Sequence, residues 1–207
     1  MFFHKFIARQ LGHPSGIFSS LIALFLNRTN TDINQATVEL LDIKSGDRVL
    51  EIGFGGGAAM EQMTRLVENG LVAGIDISDS MVKRAKNKFV KSISQGKVQI
   101  KKGDASQIPY QRGYFDKVCA VNTIFFWPEP VKCLKEMHRI LKASGLIVLS
   151  VDAKEDIEEL PLTRYGFVLY SDNELRNLLN EAGFVDIRVE RRKGKSSTSV
   201  LLIATKG

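Results

Sequence analysis

A chain of 207 residues with 44% hydrophobic content can bury one full core and is short for two, so a single domain over residues 1–207 is expected. Its formal net charge of +6 comes without an organised basic patch, which speaks for solubility and against nucleic acid as a partner. Two cysteines, Cys119 and Cys133, exclude a disulfide framework and a thiolate metal cluster; they read as free buried thiols, and the expectation is a metal-free cytoplasmic protein.

Residues 2–11 and 16–27 read as two short helices broken at Gly12-His13-Pro14-Ser15-Gly16. Lys5 and Arg9 precede the apolar run Ile17 to Leu26, which has the outline of a signal peptide. Asn27-Arg28-Thr29-Asn30 is no cleavage site, and the run is about half the length needed to span a bilayer. Residues 1–30 are therefore expected to form a helical lid whose apolar side chains cover core, substrate, a partner or, transiently, a membrane surface.

Ile33, Ala36, Thr37, Leu40 and Leu41 fall on one helical face, with Asn30 or Thr31 as cap. From Val49 onward strands and helices alternate. Val49–Ile52 is the first strand, followed by a helix from Ala58 to Glu68 stopped at Asn69-Gly70. Leu71–Ile77 is the second strand, and Ser78 caps a helix with Val82, Ala85, Lys86 and Phe89 on one face. Val98–Ile100 and Phe115–Val121 are strands three and four, Val131–Leu141 a helix, and Gly145–Val151 strand five. Ser171-Asp172-Asn173-Glu174 is a capping box whose helix stops at Gly183. Phe184–Glu190 and Ser199–Thr205 close the chain, joined by the polar hairpin-like Arg191-Arg192-Lys193-Gly194-Lys195. Repeated strand–helix units imply a parallel sheet covered on both faces, with the last two strands antiparallel.

Four glycines in the five positions Gly53 to Gly57 end the first strand and begin a helix, the form of a nucleotide-type site. Gly53-Phe54-Gly55-Gly56-Gly57-Ala58 also fits the dinucleotide fingerprint. Glu51 weighs against it, because a carboxylate at this turn is unfavourable beside a pyrophosphate and suits a cationic amino group. Glu51-x-Gly53-x-Gly55-x-Gly57 resembles the first motif of the class I S-adenosylmethionine (SAM)-dependent methyltransferases. The order of elements over residues 30–207 is similar to that family's Rossmann-like, doubly wound α/β fold of seven strands, order 3-2-1-4-5-7-6 with strand 7 antiparallel.

Asp76, at the carboxyl end of the second strand, is placed to accept both ribose hydroxyls in a SAM or an NAD site. The resemblance further implies that Ile77 packs on the adenine, and that the Gly103-Asp104-Ala105 turn receives the adenine amine at Asp104 and donates a backbone N–H. It places Asn122, after the fourth strand, beside the methionine end of the donor and the acceptor, with Phe54 in the glycine loop. The following Thr123-Ile124-Phe125-Phe126-Trp127-Pro128 departs from the Asn-Pro-Pro-Tyr/Phe pattern of nucleobase amino-methyltransferases, which argues against that chemistry. The chain most resembles the small-molecule branch that includes ubiquinone and menaquinone methyltransferases, so SAM is the expected cofactor and a small apolar or aromatic molecule the expected acceptor. Phe125, Phe126, Trp127 and Tyr165 are the acceptor candidates, and Asn122 and His13 the catalytic ones, with His4, Asp152, Tyr165 and Tyr170 as further bases. His138, mid-helix, reads as a packing residue. Arg191 to Lys195 are expected to form a solvated turn away from the crevice. An NAD(P)-dependent oxidoreductase and a non-catalytic SAM- or nucleic-acid-binding module stand as alternatives.

Overall fold

A computed structural model describes residues 2–12, 23–24 and 27–207. The expected helix over 16–27 and the candidate His13 lie largely and wholly outside them. The elements are α1 (Phe2–Gly12), α2 (Thr31–Leu40), β1 (Arg48–Ile52), α3 (Ala58–Leu66), β2 (Leu71–Asp76), α4 (Asp79–Lys88) and α5 (Val90–Ser94). They continue as β3 (Val98–Lys102), β4 (Phe115–Val121), α6 (Pro130–Ile140), β5 (Leu141–Asp152), α7 (Lys154–Ile157), α8 (Asp172–Glu181), β6 (Phe184–Lys193) and β7 (Thr198–Lys206).

The seven strands form one sheet in the order β3-β2-β1-β4-β5-β7-β6. β7 runs antiparallel to both β5 and β6, and the other neighbours are parallel. The alternating side chains of the central strands feed two cores, one on each face. Leu50 and Ile52 pack with Leu134, Met137 and Leu179 on one face. Val49 and Val72 pack with Met60, Met63 and Met81 on the other. The register sets Glu51 of β1 opposite Gly74 of β2 and Cys119 of β4, and Asp152 of β5 opposite Ser199 of β7. The carboxyl ends of β3, β2, β1, β4 and β5 thus line up along one edge of the sheet.

Several boundaries depart from the sequence reading, each for a local reason. Asn30 occupies the N-cap of α2 but makes no side-chain cap bond. Its Oδ1 instead accepts from Thr29 Oγ1 and Asn122 Nδ2, while Thr31 Oγ1 donates back to the carbonyls of Asn27 and Arg28. α3 ends on an extended Val67 with no left-handed stop. A Cβ on Gly70 would lie 2.0 Å from Asp47 O, so that glycine allows two loops to touch, which the stop-signal reading missed. Met81 replaces Lys86 on the buried face of α4. The short α5 and α7 were not anticipated; each is too brief to show a period.

The largest correction concerns the last hairpin. Arg191, Arg192 and Lys193 belong to β6, and the turn begins at Gly194, whose N–H donates to Ser197 O at 2.9 Å. Arg191 pairs with Glu155 and Asp172, and Arg192 with Glu39 and Glu190, so these arginines brace α7, α8 and α2.

Candidate functional site

At the end of β1 the chain turns through Gly53, whose φ of +68° a branched side chain would resist. Its N–H donates to Ile75 O of β2 at 2.8 Å, and a Cβ there would lie 2.4 Å from Thr123 Cγ2. The glycine loop is therefore pinned between β2 and the loop after β4. From above, Asn27 Nδ2 donates to Gly56 O at 3.4 Å.

Two carboxylates flank the loop. Asp76, 7% exposed, accepts the Gly55 N–H at 3.1 Å on one oxygen and the Ser78 N–H at 2.9 Å on the other. The acid that ends β2 thereby holds the loop that follows β1. Glu51, 3% exposed, has an Oε2 without a hydrogen-bond partner. Burial pushes its pKa up to about 8, the Met60 N–H at the start of α3 pulls the other way, and the charge of Asp76 adds to the rise. A buried carboxylate oxygen left unpaired costs free energy that a cationic or hydrogen-bonding ligand would recover.

One β-strand further along, Asn122 adopts φ +53°, rare for a residue other than glycine. A reciprocal clamp holds it: Asn122 Oδ1 accepts the Asp152 N–H at 2.8 Å, and Asn122 Nδ2 donates to Asp152 Oδ2 at 2.9 Å. Nδ2 also reaches Asn30 Oδ1 at 3.3 Å. Asp152 completes the cluster by accepting from Ser197 Oγ at 2.6 Å on Oδ1. Burial raises the Asp152 pKa against the opposing pull of Ser197 and Asn122, and Asp156 raises it further.

These strand ends open onto one cavity of about 1090 Å³. Fifteen of the candidates border it: Glu51, Gly53, Phe54, Gly55, Asp76, Ile77, Gly103, Asp104, Ala105, Asn122, Phe125, Phe126, Trp127, Asp152 and Tyr165. Gly57 does not; its φ of +70° serves the turn into α3, and a Cβ there would meet the Phe89 ring at 3.1 Å, so its role is backbone and packing. His4 and Tyr170 stand away from the cavity wall, and His138 packs edge-on against Phe184 at 5.1 Å, as its helix position implied. Asp104, exposed, has its Oδ1 fixed by the Ser106 N–H at 2.7 Å. Cys133 borders the cavity as an inert thiol whose pKa burial pushes up to about 12.

Two further segments complete the wall. α1, within the segment expected as a lid, faces the cavity with Lys5, Ala8, Arg9, Leu11 and Gly12. Ser196 and Ser197 reach it from the β6–β7 turn, against the expectation that this turn lies away from the crevice. Asp152, named as a further base, ends β5 as Asp76 ends β2 and borders the same cavity. Phe125 and Trp127 prove to be core residues whose edges also line the cavity. Phe126 is half-buried, packs on Phe167 at 4.6 Å, and lies under Gly12 of α1. Among the described residues no group of His, Cys, Asp and Glu is arranged to hold a metal ion, and no helix is long and apolar enough to cross a membrane.

Residues 50–149 match the family described as methyltransferase domain. The chain is 30% identical over 178 residues to the uncharacterized methyltransferase YdaC of Bacillus subtilis, covering 86% of this chain and 93% of that one. It is 33% identical over 141 residues to the ubiquinone/menaquinone biosynthesis C-methyltransferase UbiE of Teredinibacter turnerae, covering 67% of this chain and 55%, about half, of UbiE. Among solved structures, a SAM-dependent methyltransferase from Aquifex aeolicus shares the fold with a TM-score of 0.75 at 24% identity, over 91% of this chain and 98% of that one.

Proposed function

The chain belongs to the class I SAM-dependent methyltransferases, and we propose that it methylates a small, apolar or aromatic molecule held beneath α1. SAM supplies an electrophilic methyl group on a sulfonium. The residues fit it by the chemistry of their donors: the unpartnered Glu51 Oε2 suits the amino group, Asp76 the ribose diol, and the Gly103–Ala105 turn with Asp104 the adenine edge. Gly53, Phe54 and Gly55 form the floor and Ile77 the ring-packing surface, while Gly57 supports the loop from behind.

The observation that carries the acceptor reading is the cavity's extent. At about 1090 Å³ it exceeds the usual range for one ligand, roughly 300–1,000 Å³, and so suits two molecules side by side. Past Asn122 its wall is Phe125, Phe126, Trp127, Phe167 and Tyr165. Because the leaving group of a sulfonium is neutral, the protein's work is to align the partners and keep water out. α1 and the residues after α7 provide that cover. Arg191 and Arg192 are paired with acidic side chains, so these two arginines offer no free basic patch to a nucleic acid.

Calorimetry tests the reading. Micromolar SAM binding, roughly −8 kcal/mol, is expected. NADH is expected to bind negligibly. Methyl transfer to an apolar aromatic panel should exceed transfer to tRNA or DNA; the reverse preference would sink the small-molecule assignment.

A further inference from the structure

We propose that Asp152 is the base that takes the proton from a hydroxyl-bearing acceptor, so that the methyl group is delivered to oxygen. The proposal rests on the assignment of SAM to the ends of β1, β2 and β3.

Asp152 ends β5, beyond Asn122 of β4 and on the opposite side of β1 from Asp76 and Asp104. Neighbouring strands lie about 4.8 Å apart, so the end of β5 stands roughly 10 Å from that of β1, on the acceptor side. Each Asp152 oxygen accepts one hydrogen bond, from Ser197 Oγ and from Asn122 Nδ2. A carboxylate offers about four acceptor sites, so lone pairs remain on a side chain that borders the cavity. Among the described residues Asp152 makes no ion pair. Asn122 Nδ2, by contrast, spends its N–H bonds on Asp152 and Asn30. Asn122 is thus the positioning residue of the pair and Asp152 the proton acceptor.

The groups around it agree. β4 and α2 offer neutral amides, Asn122, Asn30 and Asn34, and the β6–β7 turn offers hydroxyls. Asp156 of α7 is the charge that reaches Asp152 and raises its proton affinity, as burial does. Lys5 and Arg9 of α1 and Glu51, Asp76, Asp104 and Glu129 are the other charges on the same cavity.

An amine gains nothing from this base: a neighbouring carboxylate holds an aliphatic amine as ammonium, and an arylamine attacks through a lone pair it already has and loses its proton only afterwards. A hydroxyl gains. Its oxygen forms a bond to the methyl carbon as the carbon–sulfur bond breaks. The electron pair stays on sulfur, which becomes a neutral thioether, and the hydroxyl proton passes to Asp152 and then to solvent.

The test uses naphthol, methoxynaphthalene and naphthylamine with the full-length protein, loaded with the demethylated donor S-adenosylhomocysteine for binding and with SAM for turnover. Naphthol should bind about tenfold more tightly than methoxynaphthalene, as one hydrogen bond to a charged acceptor implies, and Asp152→Asn should abolish that preference. Turnover of naphthol to methoxynaphthalene should rise with pH through one ionisation and fall roughly 100-fold in Asp152→Asn, with donor affinity unchanged. Ser197→Ala keeps the carboxylate but removes one donor, so it should move the rising limb to higher pH. Equal binding of naphthol and methoxynaphthalene, unchanged turnover in Asp152→Asn, or methylation of the naphthylamine nitrogen or of a ring carbon instead of oxygen would each overturn the proposal. Failure of S-adenosylhomocysteine to bind at all would take down the donor site itself, and this proposal with it.

Discussion

Glu51 joins three properties in one side chain: it stands one residue before the end of a central strand, it is buried, and one of its oxygens is unpartnered. Its ordinary pKa of 4.5 rises to about 8 because burial penalises the charge. Between those two values the folded protein holds a proton that the unfolded chain has released. The stability this represents is complete below about 4.5 and is lost as pH rises through about 8. Glu51→Gln removes the ionisation without changing shape. It should therefore raise the melting temperature of the ligand-free protein at pH 9 and leave it nearly unchanged at pH 4, while weakening SAM at least about tenfold, one charge-assisted hydrogen bond. Thermal melts at both pH values and calorimetry check this; equal melting-temperature changes at the two pH values would mean that Glu51 does not titrate in this window. Asp76→Ala acts differently. It strips acceptors from the Gly55 and Ser78 N–H groups, so it should cost on the order of 1–3 kcal/mol of stability as well as donor affinity.

α1 lies over the cavity with Gly12 against Phe126, whose ring a Cβ on Gly12 would approach to 2.8 Å. The helix buries Ala8 and Gln10 while Phe6 remains exposed. Its contacts make it a cover and not a foundation. Ala23 differs: it is 0% exposed and belongs to the core around Met60 and Met63. Deleting residues 1–12 should therefore leave a folded protein with unchanged SAM affinity and lost methyl transfer, whereas deletion through residue 28 should destabilise it. Circular dichroism, calorimetry and a product assay on the two truncations separate these outcomes. If the shorter truncation is inactive and also unfolded, α1 is a core element. The same reasoning changes what Trp127 can report. At 8% exposure in the main core, Trp127→Ala should cost about 3–5 kcal/mol by itself, so Phe126→Ala is the cleaner probe of the acceptor wall.

At the scale of the whole molecule, what could be read from the sequence was what the strands carry. Period, apolar runs and Ser78 and Ser171 as caps marked the strands and helices of a largely parallel sheet, and the family resemblance supplied its strand order. Asp76 was legible as a polar side chain at a strand's carboxyl end, while Glu51 and Asp104 were legible through the motifs they share with the family. What was illegible comes from contacts between distant segments. Nothing in Ser196 or Ser197 announces that a turn nearly fifty residues beyond β5 returns to Asp152, and nothing in Gly12 announces Phe126. Gly57 belongs to the glycine motif yet lies off the cavity wall, because motif position and cavity wall are different properties. The strand-end site nonetheless draws on the ends of five strands, α1 and the β6–β7 turn, so a ligand bound there bridges elements that otherwise meet mainly through the sheet. SAM should accordingly stabilise the entire fold by mass action. At one hundred times its dissociation constant the gain is about 2.7 kcal/mol, and for a chain of this size each kcal/mol raises the melting temperature by about 2–4 °C. A rise of about 5–10 °C with SAM or S-adenosylhomocysteine is expected, reduced in Glu51→Gln and in Asp76→Ala, and NADH at the same concentration should give none. A shift with NADH and none with SAM would reassign the strand-end site to a dinucleotide.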